Sequence, residues 1–383
     1  MKVSPGADVM AFRQRAQAFV EANWTRRGSH CEASAIAFRK GAIDAGLAHR
    51  SLPVHCGGLG APFDPEIERA WLAVCEAAGA PARPAGTGVQ MLVPTLLAAG
   101  TTEQQVRYCV PALTGEAIWA QGFSEPGSGS DLASLRTRAV LDGDHWVITG
   151  QKIWTTHAER AHYMFALVRT EAEAPSHQAI SFLLIDLRAP GVEVRPIRQM
   201  TCEHEYCEVF LDGVRVPAAS IVGARGDGWR VANLLLRTER GWIGDFIDGR
   251  FARLQHLVLR STLADDAALR ARLVEVEGHV LAHRASTLRR LTATQQDAPS
   301  ALIDHVAKLY ATDVMSRISE VAGDVLADDL LGASDDPWGA GVETKTGYWV
   351  RDWYWSMAYA IAGGSSNVQR DVIARRGLGL GRG

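Results

Sequence analysis

The sequence predicts an α+β fold in three parts: an N-terminal helical domain, a small central β-domain of barrel-like or sandwich-like form, and a C-terminal four-helix-bundle domain. Three changes of pattern along the 383 residues support this prediction. Apolar residues recur at helical spacing up to about residue 105, alternate in short runs through the middle of the chain, and then return to helical spacing. We therefore divide the chain into domains 1–116, 117–225 and 226–383.

The N-terminal part has the apolar pattern of amphipathic helices. Phe12, Ala16 and Val20 are each four residues apart, so they share one helix face. Segments 35–48 and 66–78 repeat the pattern. These helices are expected to pack against one another through their apolar faces.

The middle part has the pattern of short strands. Val140, the turn at Gly143 and Asp144, and the alternating Trp146 and Ile148 predict a β-hairpin. Further strands are predicted at 163–168, 180–185, 192–197 and 206–216. Together they predict a small β-domain between helical ones.

The last part predicts long helices. A buried stripe is expected from four apolar residues spaced by four, three and four positions, namely Leu269, Leu273, Val276 and Val280. Segments 301–326 and 344–361 continue the helical pattern, which favours a bundle.

Composition excludes several classes of function. A net charge of −3 argues against nonspecific nucleic-acid binding, and no apolar run approaches the roughly 20 residues of a membrane span. The six cysteines are scattered, which is typical of reduced thiols in a cytoplasmic protein. Cys202 and Cys207 lack the second close pair that a tetrahedral metal site needs, so we predict no metal.

Two short segments carry most of the functional signal. Segment 124–131 reads Ser-Glu-Pro-Gly-Ser-Gly-Ser-Asp, a loop whose backbone can turn sharply and present amides and hydroxyls to one polar group. Segment 151–156 places a Trp ring beside two Thr hydroxyls, which suits a planar heterocycle with hydrogen-bonding edges. Together the two segments predict a flavin site.

In this order, the two segments resemble the flavin-contacting region of the acyl-CoA dehydrogenase family. Segments 111–116, 196–200, 209–217 and 362–380 extend the resemblance over most of the chain. The resemblance implies FAD-dependent α,β-dehydrogenation of an acyl-CoA, or of a carrier-protein thioester, in fatty acid or lipid metabolism. A base takes the α proton while the β carbon gives hydride to flavin N5. It further implies a dimer or tetramer, of one kind of chain or two, and an electron-transferring flavoprotein as electron acceptor.

The resemblance also assigns cofactor contacts residue by residue. The implied FAD-binding residues are Gln121, Phe123, Ser124, Gly129, Ser130, Trp154, Thr155, Thr156, Ser365 and Asn367. Trp154 is expected to cover one flavin face, Thr156 to lie near N5, and Ser365 and Asn367 to touch the adenosine half. Ser130 is expected to lie near the substrate as well.

The catalytic base is expected at an alternative position. The commoner family pattern has its Glu where this chain has Gly363, which has no side chain to remove a proton. A minority of the family has its Glu on the helix after the β-domain, in a Leu-x-x-Glu-Arg context that 236–240 matches. We therefore predict Glu239 as the base and the Gly363 backbone N–H as a donor to the thioester oxygen. Arg240 and Gly364 are predicted substrate contacts.

Two segments depart from the family pattern. An Arg-x-x-Phe-Gly motif is missing from 249–256, and 320–324 lacks the usual Gln and Gly-Gly pair. Both segments contribute FAD contacts across the subunit interface in the family. The sequence therefore leaves open two further functions: an oxygen-using flavin monooxygenase or oxidase, and a non-catalytic or half-site subunit of a heteromeric acyl-CoA dehydrogenase.

Overall fold

The computed structural model describes residues 7–24, 31–242, 246–292, 300–331 and 345–381. The chain forms two compact units. The first comprises 1–196 and 206–235, and the second comprises 197–205 and 236–383. The predicted α+β class is confirmed, because helices precede and follow a single mixed sheet.

Five helices of the described chain precede the sheet. They are α1 (Ala7–Asn23), α2 (Glu32–Asp44), α3 (Pro65–Ala78), α4 (Val93–Ala99) and α5 (Thr102–Thr114). Helix α3 begins at Asp64, whose carboxylate accepts the N–H of Glu66 at 2.9 Å and of Ile67 at 3.2 Å. It ends at Gly79, whose φ of +65° requires a residue that tolerates the left-handed region.

Helix α5 is tied to the sheet by one buried amide. Gln104 donates through Nε2 to the carbonyl oxygens of Ala219, at 2.8 Å, and Ile221, at 2.7 Å. Its Oε1 accepts the N–H of Thr101, which completes a capping box at the helix start. The same side chain therefore starts the helix and attaches it to the chain just after the last long strand.

The strands of the described chain form one sheet. They are β1 (Trp119–Gly122), β2 (Arg138–Asp142), β3 (His145–Thr156), β4 (Tyr163–Arg169), β5 (Ile180–Asp186), β6 (Val192–Ile197), β7 (Tyr206–Pro217) and β8 (Ile221–Val222). Their order is β6-β7-β3-β2-β4-β5-β8, with β1 pairing in parallel with β4. The predicted hairpin is β2 and β3, and its turn has Gly143 at φ +60°.

Strands β3 and β7 form a long antiparallel pair with two bulges. The register shifts between Ile148 and Gly150 and again between Lys152 and Thr155. A bulge inserts an unpaired residue and can redirect a side chain. The second bulge contains Trp154, which the sequence predicts to contact flavin.

Six helices follow the sheet in the described residues. They are α6 (Gly228–Trp242), α7 (Ile247–Leu259), α8 (Ala267–Thr292), α9 (Ser300–Leu331), α10 (Lys345–Ile361) and α11 (Ser366–Val372). Helices α7, α8 and α10 pack against α9 around one apolar core. The stripe predicted on α8 is confirmed, because Leu269, Val276 and Val280 are buried and Leu273 packs beside them. Within the described ranges, no helix has both the length and the apolar character to cross a membrane.

Candidate active site

The two predicted flavin segments are neighbours in the structure. The N–H of Ile153, on β3, donates to the carbonyl oxygen of Ser124 at 3.0 Å. The loop 124–131 thus joins the strand just before Trp154.

A buried ion pair fixes this arrangement. Lys152 has no exposed surface, and its Nζ lies 2.8 Å from Glu125 Oε1 and 3.2 Å from the carbonyl oxygen of Phe123. The Glu125 carboxylate also accepts the N–H groups of Arg136, at 2.6 Å, and Thr137, at 2.9 Å. One carboxylate therefore holds the loop to strand β3 and to the segment before β2.

The surroundings shift the pKa of both side chains. Burial lowers the pKa of Lys152 to about 8, although the Glu125 carboxylate acts in the opposite direction. Burial alone would raise the pKa of Glu125, but Lys152 and the donated N–H groups outweigh it, so that pKa is lowered. Neither residue was among the predicted site residues. The available signal was a lysine within a predicted flavin segment, 151–156.

The loop has an inner and an outer surface. Ser128 is buried and its hydroxyl donates to the carbonyl oxygen of Asp131 at 2.8 Å, so it shapes the loop. The hydroxyls of Ser124 and Ser130 form no hydrogen bond within the described part of the chain, and Ser130 is exposed. A side chain at Gly129 would meet nothing within 4 Å. The outer surface therefore offers two hydroxyls and room for a ligand to approach the backbone.

Trp154 combines exposure with an uncommon backbone conformation. Its side chain is 56% exposed and its φ is +61°, in the left-handed region that few bulky residues adopt. Its ring meets Tyr206 edge-on, with centroids 6.0 Å apart. Strain at an exposed aromatic residue is typical of a binding site.

The other predicted contacts of the first unit differ in exposure. Phe123 is buried against Phe165 and Phe182, with ring centroids 6.0 and 6.1 Å away. Gln121 and Thr156 are partly exposed. Thr155 is fully buried, and its Oγ1 has no hydrogen-bond partner in the described residues.

The predicted residues of the second unit lie in a tight turn and the helix after it. Gly363 and Gly364 have φ values of +65° and +97°. Ser365 caps α11, with its Oγ accepting the N–H of Val368 at 3.4 Å, and Asn367 is exposed in that helix. Both φ values favour glycine, and with glycine at position 363 the turn has no basic side chain.

Glu239 and Arg240 belong to α6, but their side chains lie outside the described residues. Their roles as base and substrate contact therefore stay predictions, as do the cofactor contacts.

Comparison with known proteins identifies the family. Residues 120–214 match the middle domain of acyl-CoA dehydrogenases and residues 226–378 match their C-terminal domain. Acyl-CoA dehydrogenase IpdE1 of Mycobacterium tuberculosis is 38% identical over 342 residues, which cover 88% of this chain and 86% of the relative. The chain belongs to the acyl-CoA dehydrogenase family. Members of this family are FAD-dependent flavoproteins, so the chain is an FAD-dependent oxidoreductase.

Solved structures of acyl-CoA dehydrogenases agree in fold. The Tcur3481-Tcur3483 steroid ACAD has a TM-score of 0.77 and 25% identity, with each chain fully covered by the other. The ChsE4-ChsE5 complex from Mycobacterium tuberculosis has a TM-score of 0.75 and 25% identity, again with full coverage of both chains.

The residues of the first unit fit FAD. Exposed Trp154 can stack on a flat ring system, and the hydroxyls of Ser124 and Ser130 can donate to ring edges or phosphate oxygens. Gly129 leaves space for close approach of a ligand. The Lys152 ammonium balances Glu125, so the loop does not present a bare carboxylate to a pyrophosphate.

The segments that depart from the family pattern make contacts inside their own unit. Arg250 pairs with the buried Asp352, with Nε and Oδ1 2.5 Å apart, and its guanidinium lies 5.2 Å from the centroid of the Tyr359 ring. Asp324 pairs with Arg272. These charged groups thus have partners within the chain.

Replacing Trp154 with alanine should weaken FAD binding. Loss of the ring stack should raise the Kd for FAD about tenfold, since aromatic pairs contribute about 0.5–1.5 kcal/mol beyond the area they bury. Because the side chain is exposed, the free energy of unfolding of the apoprotein should change by less than about 0.5 kcal/mol. Titration of the apoprotein with FAD measures the first quantity and urea unfolding the second. A Trp154→Phe variant should retain most of the affinity, and equal weakening in both variants would show that stacking is not the cause.

Proposed function

We propose that this protein catalyses α,β-dehydrogenation of an acyl-CoA thioester to the 2-enoyl-CoA, with Glu239 as the base, in an assembly with a second, related chain. The observation that carries the proposal is the backbone at residue 363. A glycine at φ +65° stands where the commoner family pattern has its base, so that turn supplies no basic side chain. A proton acceptor must then come from another position.

Position 239 supports the assignment of the base. Helix α6 includes Val231 and Leu235, which are fully buried, and residue 239 follows them at intervals of four. Residues four apart lie on the same face of a helix, and this spacing supports position 239 as the location of the base. A carboxylate in a site from which water is excluded has a raised pKa, as a general base needs.

Each functional group of the chain has one role in the proposed reaction. The Glu239 carboxylate removes the α proton and keeps it. The N–H groups of Gly363 and Gly364 donate to the thioester oxygen, where negative charge develops as that proton leaves. FAD, when bound, would supply the acceptor for the hydride of the β carbon, and loss of the proton and the hydride would leave a carbon–carbon double bond. An electron-transferring flavoprotein is the proposed acceptor of the two electrons.

Two observations favour an assembly of two kinds of chain. The similar structures named above are a ChsE4-ChsE5 complex and a Tcur3481-Tcur3483 pair, so each name joins two chains. On helix α10, Trp353, Met357 and Ile361 are exposed at intervals of four. An apolar stripe of this kind on one helix face suits a protein partner. The Tcur3481-Tcur3483 name also suggests a bulky, ring-bearing acyl group for this chain.

The test is anaerobic reduction of the flavin. The protein is purified alone and after co-expression with a homologous chain from the same genome. A panel of straight, branched and ring-bearing acyl-CoAs is then added without oxygen. The proposal predicts bleaching of the flavin absorbance and formation of one enoyl-CoA per flavin. If no acyl-CoA bleaches the flavin of either preparation, the chain is not a dehydrogenase. Steady oxygen consumption with substrate, and no need for another acceptor, would instead indicate an oxidase or monooxygenase.

A further inference from the structure

Three backbone carbonyls around the Gly363-Gly364 turn point to two buried side chains. Lys308 donates through Nζ to the carbonyl oxygens of Gly364, at 2.8 Å, and Ala360, at 3.3 Å. Gln369 donates through Nε2 to the carbonyl oxygens of Gly363, at 2.9 Å, and Gly364, at 3.1 Å. The turn is therefore held on its carbonyl side by a lysine of α9 and a glutamine of α11.

A third side chain fixes the orientation of the glutamine. His305 lies one helical turn before Lys308 on α9, and its Nδ1 is 2.5 Å from Gln369 Oε1. With Oε1 accepting from the imidazole, the amide NH₂ must face the turn. Lys308 and Gln369 are each 1% exposed and His305 is 8% exposed. Burying a lysine is costly, so such a group is retained where it has specific hydrogen-bond partners.

Each held carbonyl fixes the N–H of the residue that follows it: the Gly363 carbonyl fixes the Gly364 N–H, and the Gly364 carbonyl fixes the Ser365 N–H. In a trans peptide the C=O and the following N–H point in opposite directions. Gln369 holds the Gly363 carbonyl, so the Gly364 N–H points away from Gln369. The Gly363 N–H belongs to the peptide between Ala362 and Gly363. On one side of it is the Gly363–Gly364 peptide, which Gln369 holds. On the other side is the end of α10, where the Ala362 N–H donates to the Ala358 carbonyl. Within the described chain, the N–H groups of Gly363 and Gly364 form no hydrogen bond, so both are available to a ligand.

The packing around the turn allows little adjustment. A Cβ at Gly364 would lie 2.4 Å from Gln369 Nε2, so the amide occupies the space a side chain would need. Both glycines have positive φ, so either would be strained by substitution. The turn and its two donors therefore fit closely together, with no room for a side chain at residue 364.

We propose that Lys308 and Gln369 are positioning residues: Gln369 orients the Gly364 N–H through the Gly363 carbonyl, and Lys308 holds the turn at both ends, so that the Gly363 and Gly364 N–H groups face the thioester oxygen of the substrate. This inference rests on the proposed function, in which those N–H groups stabilise the charge that develops on that oxygen. A purely structural role would affect folding but not the polarisation of a bound carbonyl. Donors of this kind act through their placement, and a displacement of about 1 Å can cost about 10²-fold in rate.

The test compares Lys308→Met and Gln369→Glu with the unmodified protein and with Lys40→Met, which changes an exposed lysine of α2. Gln369→Glu keeps the size of the side chain but removes the donor to the turn. The probes are crotonyl-CoA and cinnamoyl-CoA labelled with ¹³C at the thioester carbonyl, added to the FAD-loaded assembly. Isotope-edited infrared difference spectra report the carbonyl stretch of the bound probe, which falls when the oxygen accepts hydrogen bonds. Flavin reduction by the acyl-CoA selected from the panel above gives kcat and KM.

In the unmodified protein and in Lys40→Met, the carbonyl stretching frequency of the bound probe should be lower than that of the free probe in solution. In both test variants the frequency should return toward that value, and kcat should fall about 10²-fold with little change in KM. If folded Lys308→Met and Gln369→Glu keep the lowered frequency, or if the unmodified protein does not lower it with either probe, the proposal is wrong. The spectra need no proton transfer, so they are independent of Glu239. A normal rate in Glu239→Gln with a lowered carbonyl frequency would refute the base alone.

Discussion

Replacing Glu239 with glutamine should abolish reduction of the flavin by acyl-CoA while FAD stays bound. Glutamine keeps the shape of the side chain but has no basic oxygen for the α proton. General base catalysis contributes about 10²–10⁴-fold, and no basic side chain is present at position 363 to replace it, so the loss should reach about 10⁴-fold. Anaerobic stopped-flow absorbance of the flavin measures the rate.

A matched variant separates this effect from a general loss of charge. Glu76→Gln makes the same change at an exposed position of α3, and its rate of flavin reduction should equal that of the unmodified protein. The flavin spectrum and the content of FAD should be unchanged in both variants. A Glu239→Gln protein that reduces its flavin at the normal rate would show that another group is the base.

Replacing Lys152 with methionine should produce the largest loss of stability. The variant leaves the Glu125 carboxylate buried without its ammonium partner, although the N–H groups of Arg136 and Thr137 still reach it. Removing one partner of a buried ion pair typically costs about 3–5 kcal/mol. The loop 124–131 should then separate from β3, so FAD should be lost on gel filtration. Urea unfolding and the ratio of flavin to protein absorbance measure the two effects.

The double variant Glu125→Leu/Lys152→Met tests the cause. With neither charge buried, much of the lost free energy of unfolding should return. FAD retention should stay poor, because the N–H groups of Arg136 and Thr137 have then lost the carboxylate that ordered the loop. Lys40→Met, at an exposed site, should change neither quantity. A Lys152→Met protein within about 1 kcal/mol of the unmodified one would contradict this role for the ion pair.

Elements with a strong hydrophobic period were predictable from the sequence. Helix α8 shows its stripe directly in the spacing of Leu269, Val276 and Val280, and the β2–β3 hairpin shows its turn at Gly143. Both patterns are local, so a single sequence carries them. The predicted domain boundaries at 116 and 225 stay predictions.

Contacts between distant parts of the chain were not predictable. Lys152 and Glu125 are 27 residues apart, and Lys308 and Gly364 are 56 residues apart. Neither pair has a spacing that marks it, because a sheet brings the first together and a helix bundle the second. The Gly363 N–H was therefore predicted as a donor, but the side chains that hold its turn were not.

The left-handed conformation of Trp154 also could not be predicted from the sequence. Its φ of +61° arises from the bulge between Lys152 and Thr155, which depends on pairing with β7. The resemblance assigned this residue to FAD from its neighbours alone. The structure adds the physical feature, an exposed aromatic ring held in a strained backbone.

The most direct measurement is a crystal structure of the assembly with FAD and a substrate analogue that cannot be oxidised. We expect a Glu239 carboxylate oxygen about 3–3.5 Å from the α carbon, the spacing of groups poised to react, and the Gly363 N–H directed at the thioester oxygen. A Glu239 side chain turned to solvent and remote from the α carbon would contradict this expectation.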